Sequence, residues 1–438
     1  MSTVLAATRR NTELGLLLMA GVLTAGAYTL AGLGRSASIP ANLVPFLLII
    51  LGLLAVAHVA TRRLAPGADG ILLPLAGLLN GIGYVFIARL NSDLAALQAL
   101  WTALGVGAFV VTLFVVRRAR DIERLRYTFA LIGIGLLLMP LLPGIGQNIN
   151  GSRLWVRLGS VTFQPGELAK IALCIFFASY LVEKQPLLAM GTRKVAGIWV
   201  PNVRHFGPIV LAWGFSLVVM FWEKDLGSSL LFFALFIVLL WVATGRGVYL
   251  GIGGVMFAGG AYLAWSVFAH VKTRISILLD PWSVASGAGY QTVQALFAFA
   301  AGGVSGTNIA QGSPQRIPAV ATDFIFAAIG EELGLLGTVA VLVAFLLMVG
   351  TGLRIAMRIE SPFEKLLAAG LTTIIGLQTF IIIGGVTRLV PLTGITLPFV
   401  SYGGSSLISN YILLALLLRI SDDTRDRGRE PGRERVAA

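Results

Sequence analysis

The chain has 438 residues, of which 57% are hydrophobic and only 12% are charged, with a mean hydropathy of +0.87. These values exclude a water-soluble globular domain, in which about a quarter of the residues are charged. The net charge of +13 does not indicate nucleic-acid binding, because the basic residues form short clusters between apolar runs rather than one basic face. The composition predicts an integral membrane protein.

Twelve apolar runs are long enough to cross a membrane, whose hydrocarbon core of about 30 Å takes roughly 20 residues of helix. No cleavable signal peptide is apparent, because the first run leads straight into further spans. We therefore predict an all-α polytopic fold of about 12 transmembrane helices, forming a single transmembrane domain over residues 1–420. The predicted spans are 14–33, 43–60, 71–88, 95–116, 127–143, 166–182, 207–222, 227–244, 248–269, 333–353, 366–385 and 404–420.

The basic residues between these spans are distributed unevenly. Of the 33 lysines and arginines, 23 fall on the side of the N-terminus and nine on the opposite side, while Lys170 lies inside a span. Because cytoplasmic loops carry the excess of basic residues, this bias predicts that both termini are cytoplasmic. We expect a multi-pass membrane protein.

The longest connection, residues 270–332, is predicted to be extracytoplasmic and functional, because structureless loops of this length are uncommon. Within it, apolar residues from Val293 to Ala301 recur at helical spacing, while Gln291 and Gln294 lie on another face. This pattern predicts an amphipathic helix at the membrane interface. Residues 421–438, rich in Arg, Asp, Glu and Gly, are predicted to be a disordered cytoplasmic tail.

Ionisable groups inside a membrane are costly and mark candidate sites. Glu167 and Lys170, three residues apart, share one helical face and could form a purely structural intrahelical pair. Lys224 and Asp225 lie in a short turn, for which a solvated hairpin is the alternative. Arg153 lies beside an interfacial tryptophan, so that membrane anchoring is the alternative to ligand binding.

The densest group of carboxylates is Asp323, Glu331 and Glu332, where a helix enters the membrane from the long loop. A helix cap would explain Asp323 alone. Glu331 and Glu332 lie two turns further in and must face protein or water. Carboxylates near Arg and Lys suit chemistry on an anionic lipid-linked substrate, in which cations hold phosphate and one base accepts a proton. Three dispersed histidines, no Walker loop and no G-x-S-x-G motif give no support to a metal cluster, a nucleotide-driven pump or a serine hydrolase.

These residues resemble the motifs of the SEDS family, the RodA and FtsW proteins, from about residue 127 to 420. The matching stretches are Gly151-Ser152-Arg153 through Trp155, Phe163-Gln164-Pro165 with Glu167 and Lys170, Asp225-Leu226-Gly227, Gly289-Tyr290-Gln291 with Gln294 and Gly302-Gly303, Thr322 to Ala327 with Glu331 to Gly334, and Pro391 to Ser406. Family members commonly have ten spans, so residues 1–126 include two extra spans. With Val386 to Val390 before Pro391, the chain looks most like the actinobacterial RodA branch, with FtsW as the alternative.

The resemblance implies a peptidoglycan glycosyltransferase that polymerises lipid II, releases undecaprenyl pyrophosphate and serves cell elongation and shape. By motif position, Asp323 is the expected general base. Arg153, Lys170 and either Arg274 or Lys224 are expected to neutralise the leaving pyrophosphate. The full set expected to bind substrate is Arg153, Gln164, Glu167, Lys170, Lys224, Asp225, Arg274, Gln291, Gln294, Glu331, Glu332, Ser401, Tyr402 and Ser405.

The chain departs from the family pattern at two places. Gly166 stands where the family usually has serine, and Ala319-Val320-Ala321 stands where Glu-Ala-His is frequent. The family also implies a divalent cation, Mg²⁺ or Mn²⁺, and a class B penicillin-binding protein as partner, with contacts to membrane lipids and none to nucleic acid. A lipid II flippase and a non-enzymatic scaffold for the transpeptidase are the alternative functions.

Overall fold

The structure is a computed structural model that describes residues 2–37, 43–149, 152–159, 161–189, 193–195, 198–200, 207–223 and 225–427. All twelve predicted spans are helical. Two further helices lie in the long connection between the ninth and tenth of these spans. The helices are α1 (Ser2–Ser36), α2 (Leu43–Leu64), α3 (Leu72–Leu90), α4 (Ser92–Val115), α5 (Arg126–Leu138), α6 (Gly166–Ala189), α7 (Gly207–Glu223), α8 (Leu226–Thr244), α9 (Val248–Val267), α10 (Ala269–Leu279), α11 (Tyr290–Gly302), α12 (Ile325–Arg358), α13 (Pro362–Val386) and α14 (Gly404–Arg427).

Eleven helices of the described residues are long and apolar enough to cross a membrane. The remaining predicted span is α7, which has only 17 residues. Many of the helices expose leucine, isoleucine, valine and phenylalanine on their outer faces, as expected for surfaces that contact lipid rather than water. The polytopic membrane fold predicted from the hydropathy pattern is therefore confirmed.

Two small antiparallel sheets were not predicted. β1 (Gly146–Ile149), β2 (Ser152–Leu158) and β3 (Val161–Phe163) form a three-stranded sheet in order β1-β2-β3 between α5 and α6. β4 (Arg193–Val195) pairs with β5 (Ile198–Val200) between α6 and α7. Strands of three to seven residues carry a weak sequence signal beside long apolar helices, which explains why hydropathy alone missed them.

The predicted start of the tail is wrong, because α14 continues through residues 421–427. Polar contacts hold this last stretch in place. Arg419 pairs with Asp422 at 3.1 Å and donates to the Leu64, Val116 and Leu113 carbonyl oxygens at 2.6–2.7 Å. Burial of these partners stabilises the helix where composition favoured disorder. Residues 428–438 lie outside the described part of the chain.

The chain divides into two compact units, and the single transmembrane domain stays a prediction. Unit 1 comprises Met1–Ala119, Ser276–Gly352 and Gln378–Ala438. Within it, the Asn80 amide on α3 donates to the Tyr411 hydroxyl on α14 at 3.0 Å. Unit 2 comprises Arg120–Ile275 and Leu353–Leu377. Its buried centre includes Cys174 of α6.

Candidate functional site

Asp323, the predicted base, lies in the turn that precedes α12. The helix begins at Ile325, so that the aspartate is two residues before its first turn. The Asp323 amide donates to the Ala319 carbonyl oxygen at 3.1 Å, and the Thr322 hydroxyl donates to the same oxygen at 3.0 Å. Ala319 has a φ of 56°, a conformation that residues with a side chain rarely adopt. A tight turn therefore fixes the backbone that carries the half-buried Asp323 side chain.

The loop before α14 holds this turn from another side. The Ser401 hydroxyl donates to the Thr322 carbonyl oxygen at 2.6 Å, and the Tyr402 amide donates to the Ala321 carbonyl oxygen at 2.8 Å. Ser401 also accepts the Leu397 amide at 3.0 Å. The structure thus brings Ser401 and Tyr402 against the turn that carries Asp323, and their contact with substrate stays a prediction. The Ser401 proton is already engaged in holding the turn.

Gly394 of the same loop faces the carboxylate directly. A Cβ atom at this position would lie 3.7 Å from Asp323 Oδ2. Gly394 also has a φ of 78°, which favours glycine. The absence of a side chain therefore leaves space beside the predicted base.

The loop before α14 is itself anchored on α3 and α14. Phe399 has a φ of 63° and is buried against Tyr411, with the ring centroids 5.4 Å apart in an edge-to-face arrangement. On α3, a Cβ atom at Gly83 would lie 2.7 Å from the Val400 Cα atom, so that the backbones meet without an intervening side chain. Ser405, in the first turn of α14, is buried. Asp323 is therefore held by a rigid scaffold, which a catalytic group requires.

The amphipathic helix predicted in the long connection is present as α11. Phe297 is 53% exposed on its outer side, whereas Ala295 and Ala298 pack in a cluster with Phe324, the residue after Asp323. Gln291 and Gln294 are half-buried. The side-chain amide nitrogen of Gln291 lies 3.5 Å from the Pro318 carbonyl oxygen. Pro318 directly precedes Ala319, where the turn that carries Asp323 begins.

Glu331 contacts the connection between α11 and α12 and Glu332 contacts α3, while the substrate binding expected of both stays a prediction. The Glu331 carboxylate accepts the Ser313 amide at 2.6 Å. Glu332, whose side chain is fully buried, forms an ion pair with Arg89 at 2.6 Å. Sequence reasoning missed Arg89, because it lies at the end of α3, far from Glu332 along the chain. The burial of both glutamates, expected from their depth in the helix, is confirmed.

In unit 2, Glu167 and Lys170 form the intrahelical pair that their spacing predicted. The Lys170 amine lies 2.5 Å from the Glu167 carboxylate on α6, and the side chains are only 2% and 9% exposed. This geometry supports a structural role for the pair. Binding of pyrophosphate by Lys170 stays a prediction.

The other candidates of unit 2, one of them a glutamine, lie on different elements. Arg153 is exposed on β2, and Gln164 is half-buried between β3 and α6. Arg274 is half-buried on α10 and interacts electrostatically with Asp225. Lys224 lies outside the described residues.

Asp225 caps the N-terminus of α8. Its carboxylate accepts the Ser228 amide at 3.0 Å and the Ser228 hydroxyl. Burial raises the pKa of Asp225, while the bonds from Ser228 and the charge of Arg274 lower it less. The capping bond replaces the solvated hairpin as the structural explanation of this residue.

The structure therefore groups the candidates into two sets. Unit 1 carries Asp323, Gln291, Gln294, Glu331, Glu332, Ser401, Tyr402 and Ser405, and unit 2 carries Arg153, Gln164, Glu167, Lys170, Asp225 and Arg274. In the described part of the chain, no three His, Cys, Asp or Glu side chains are close enough to hold a metal ion.

Comparison with known proteins extends these observations to the whole chain. Peptidoglycan glycosyltransferase RodA of Mycobacterium tuberculosis is 44% identical over 429 residues, which cover 95% of this chain and 92% of the relative. Probable peptidoglycan glycosyltransferase FtsW of a Geobacter species (strain M18) is 34% identical over 383 residues, covering 84% of this chain and 99% of the relative.

Solved structures share the fold. One solved chain has a TM-score of 0.66 at 26% identity, covering 82% of this chain and 98% of the other. It comes from a structure titled for the structural coordination of polymerization and crosslinking by a peptidoglycan synthase complex. The rod shape determining protein RodA of Thermus thermophilus has a TM-score of 0.58 at 24% identity, covering 81% and 97% of the two chains. Residues 83–426 match the family of FtsW, RodA and SpoVE, described as cell cycle proteins. The chain belongs to this family.

Proposed function

We propose that the chain is a peptidoglycan glycosyltransferase that joins lipid II units into glycan strands and releases undecaprenyl pyrophosphate. The observation that carries this proposal is the placement of Asp323, a half-buried carboxylate on a turn held by the loop before α14. The names of the relatives support the same reaction class. The chain is 44% identical to the RodA relative and 34% identical to the FtsW relative, which supports a role in cell elongation.

Asp323 acts as the general base in this proposal. The 4-hydroxyl of the acceptor GlcNAc is too weak an acid to ionise at neutral pH, so its proton must leave as the oxygen attacks C1 of the donor MurNAc. A positioned carboxylate accelerates such a step by roughly 100 to 10,000-fold. The bond from C1 to the pyrophosphate oxygen breaks, and the pyrophosphate leaves with the electron pair.

The leaving pyrophosphate needs cations but no second acid, because it is already a good leaving group once its charge is balanced. Arg153 is the most accessible candidate, since its side chain is exposed on β2. Arg274 is a second candidate. Lys170 is already paired with Glu167 and would have to change partner to contact substrate.

A divalent cation remains a separate proposal. When bound, Mg²⁺ or Mn²⁺ would balance negative charge on the leaving pyrophosphate. Titration with EDTA and re-addition of each ion during polymerisation tests this point. No step described above depends on the ion.

We place the protein in a bacterial cytoplasmic membrane with both termini in the cytoplasm, on the basis of the excess of basic residues in alternate connections. The connection that carries Asp323 is then extracytoplasmic. With Cys174 replaced by serine, a single cysteine at Ser313 should react with an impermeant thiol reagent added from outside the cell. Labelling from the cytoplasm alone contradicts this orientation.

A class B penicillin-binding protein is the proposed partner, because a structurally similar chain comes from work on polymerization and crosslinking by a synthase complex. The decisive experiment incubates purified protein with lipid II, alone and with its transpeptidase. Glycan polymer supports the enzyme. Movement of labelled lipid across sealed vesicles without polymer favours a flippase, and neither activity favours a scaffold.

A further inference from the structure

The chain between α11 and α12 lies directly on a kink in α12. Gly334 interrupts this helix with φ 65° and ψ −161°. A Cβ atom at Gly334 would lie 2.5 Å from the Val304 carbonyl oxygen, and one at Gly306 would lie 2.6 Å from the Glu332 carbonyl carbon. Glycines on both sides thus allow direct contact between the two backbones.

Backbone hydrogen bonds join the same two segments. The kink removes the normal helical acceptors of Leu335 and Leu336, and their amides donate instead to the Gly303 and Val304 carbonyl oxygens at 3.0 and 3.2 Å. The Thr307 amide in turn donates to the Glu331 carbonyl oxygen at 2.9 Å. Since unsatisfied backbone groups are costly inside a membrane protein, this exchange fixes the segment on the kink.

Arg89 connects these two segments to α3. Its Nε atom lies 2.6 Å from Glu332 Oε1, Nη2 donates to the Gly312 carbonyl oxygen at 2.9 Å, and Nη1 donates to Gln315 Oε1 at 3.2 Å. The Arg89 side chain is only 10% exposed, and that of Glu332 is fully buried. Asp323 lies between Gln315 and Glu332 in the chain. One guanidinium therefore holds both ends of the stretch that carries the predicted base.

We infer that Arg89 is a positioning residue for Asp323, acting through this three-way contact; the inference rests on the proposed function. The planar guanidinium suits the role, because its charge pairs with the Glu332 carboxylate while its two terminal nitrogens donate to loop oxygens in a fixed geometry that a lysine lacks. The position of Asp323 then depends on α3 as well as on its own turn. Arg89 itself does not touch the substrate.

The test separates positioning from charge balance. Arg89→Gln leaves Glu332 buried without its cation, so that lost stability alone could explain lost activity. The double variant Arg89→Gln with Glu332→Gln removes both charges and should restore the melting temperature. It does not restore the contacts to Gly312 and Gln315. Arg316→Gln is the matched control, because it removes an exposed charge from the same connection.

Lipid II turnover and hydrogen exchange of residues 303–324 are measured for wild type and all three variants. Both Arg89 variants should lower kcat by about 10 to 100-fold, as expected for a misplaced catalytic group, with KM within about twofold of wild type. Both should also exchange faster over this segment. The Arg316 variant should match wild type in each measurement.

Recovery of kcat together with the melting temperature in the double variant would overturn the inference, as would unchanged hydrogen exchange in both Arg89 variants. If wild-type protein makes no glycan under any condition, the proposed function fails instead. The hydrogen-exchange comparison still tests the three-way contact in that case, because it needs no catalytic activity.

Discussion

Replacing Gly334 by alanine tests the kink that organises the start of α12. The glycine adopts a conformation that is almost restricted to this residue, and forcing a side chain into it costs about 1–3 kcal/mol. The added Cβ atom would also lie 2.5 Å from the Val304 carbonyl oxygen and closer still to the Gly306 nitrogen. Displacing these packed backbone atoms costs a further 1–3 kcal/mol or so. The expected destabilisation is about 2–6 kcal/mol.

Gly350 provides the matched control in the same helix, because a Cβ atom there would meet no other atom within 4 Å. Gly350→Ala should be neutral or stabilising by up to about 1 kcal/mol, since alanine favours a helix interior. Thermal unfolding of both purified variants in one detergent measures the difference. Equal melting temperatures for the two variants would refute the packing described at Gly334.

Three other substitutions test the surroundings of the site. Lys170→Met should cost about 3–5 kcal/mol by removing the cation of a buried ion pair, and adding Glu167→Gln should recover most of that loss in thermal unfolding. Burial raises the pKa of Asp225 in the folded protein, so the folded state favours the protonated carboxyl. The free energy of unfolding therefore decreases as the pH rises above the pKa of an ordinary aspartate. Asp225→Asn should therefore unfold at a higher temperature than wild type at pH 7, and this advantage should shrink toward about pH 4. Gly394→Ala would place a methyl group against Asp323. Lipid II turnover per folded protein should therefore fall, when measured at a temperature well below the melting temperature of the variant.

The helical architecture could be predicted because membrane spans have a strong and simple signal. Each of the twelve apolar runs is a helix, and the pair of Glu167 and Lys170 follows from helical spacing alone. The short sheets and the last turns of α14 could not be predicted in this way. The strands have only three to seven residues each, which leaves a weak signal. The last turns of α14 depend on partners elsewhere in the chain, such as the carbonyl groups that Arg419 contacts.

The candidate site shows the same division between local and distant information. Motif position placed Ser401, Tyr402 and Asp323 among the candidates, but the bond from Ser401 to the Thr322 carbonyl could not be read from the sequence. Arg89 was counted only as one basic residue in the orientation pattern. Its three contacts depend on packing between α3 and a connection far away in sequence, which no local periodicity reveals.

The most direct test of the proposed mechanism is lipid II polymerisation by Asp323→Asn. Asparagine has nearly the same shape and can make the same turn, but its neutral amide cannot accept the hydroxyl proton. The variant should fold, keep the melting temperature of wild type and still bind the transpeptidase, while glycan synthesis falls by at least about 100-fold. Near-normal glycan synthesis by this variant would contradict the assignment of Asp323 as the base.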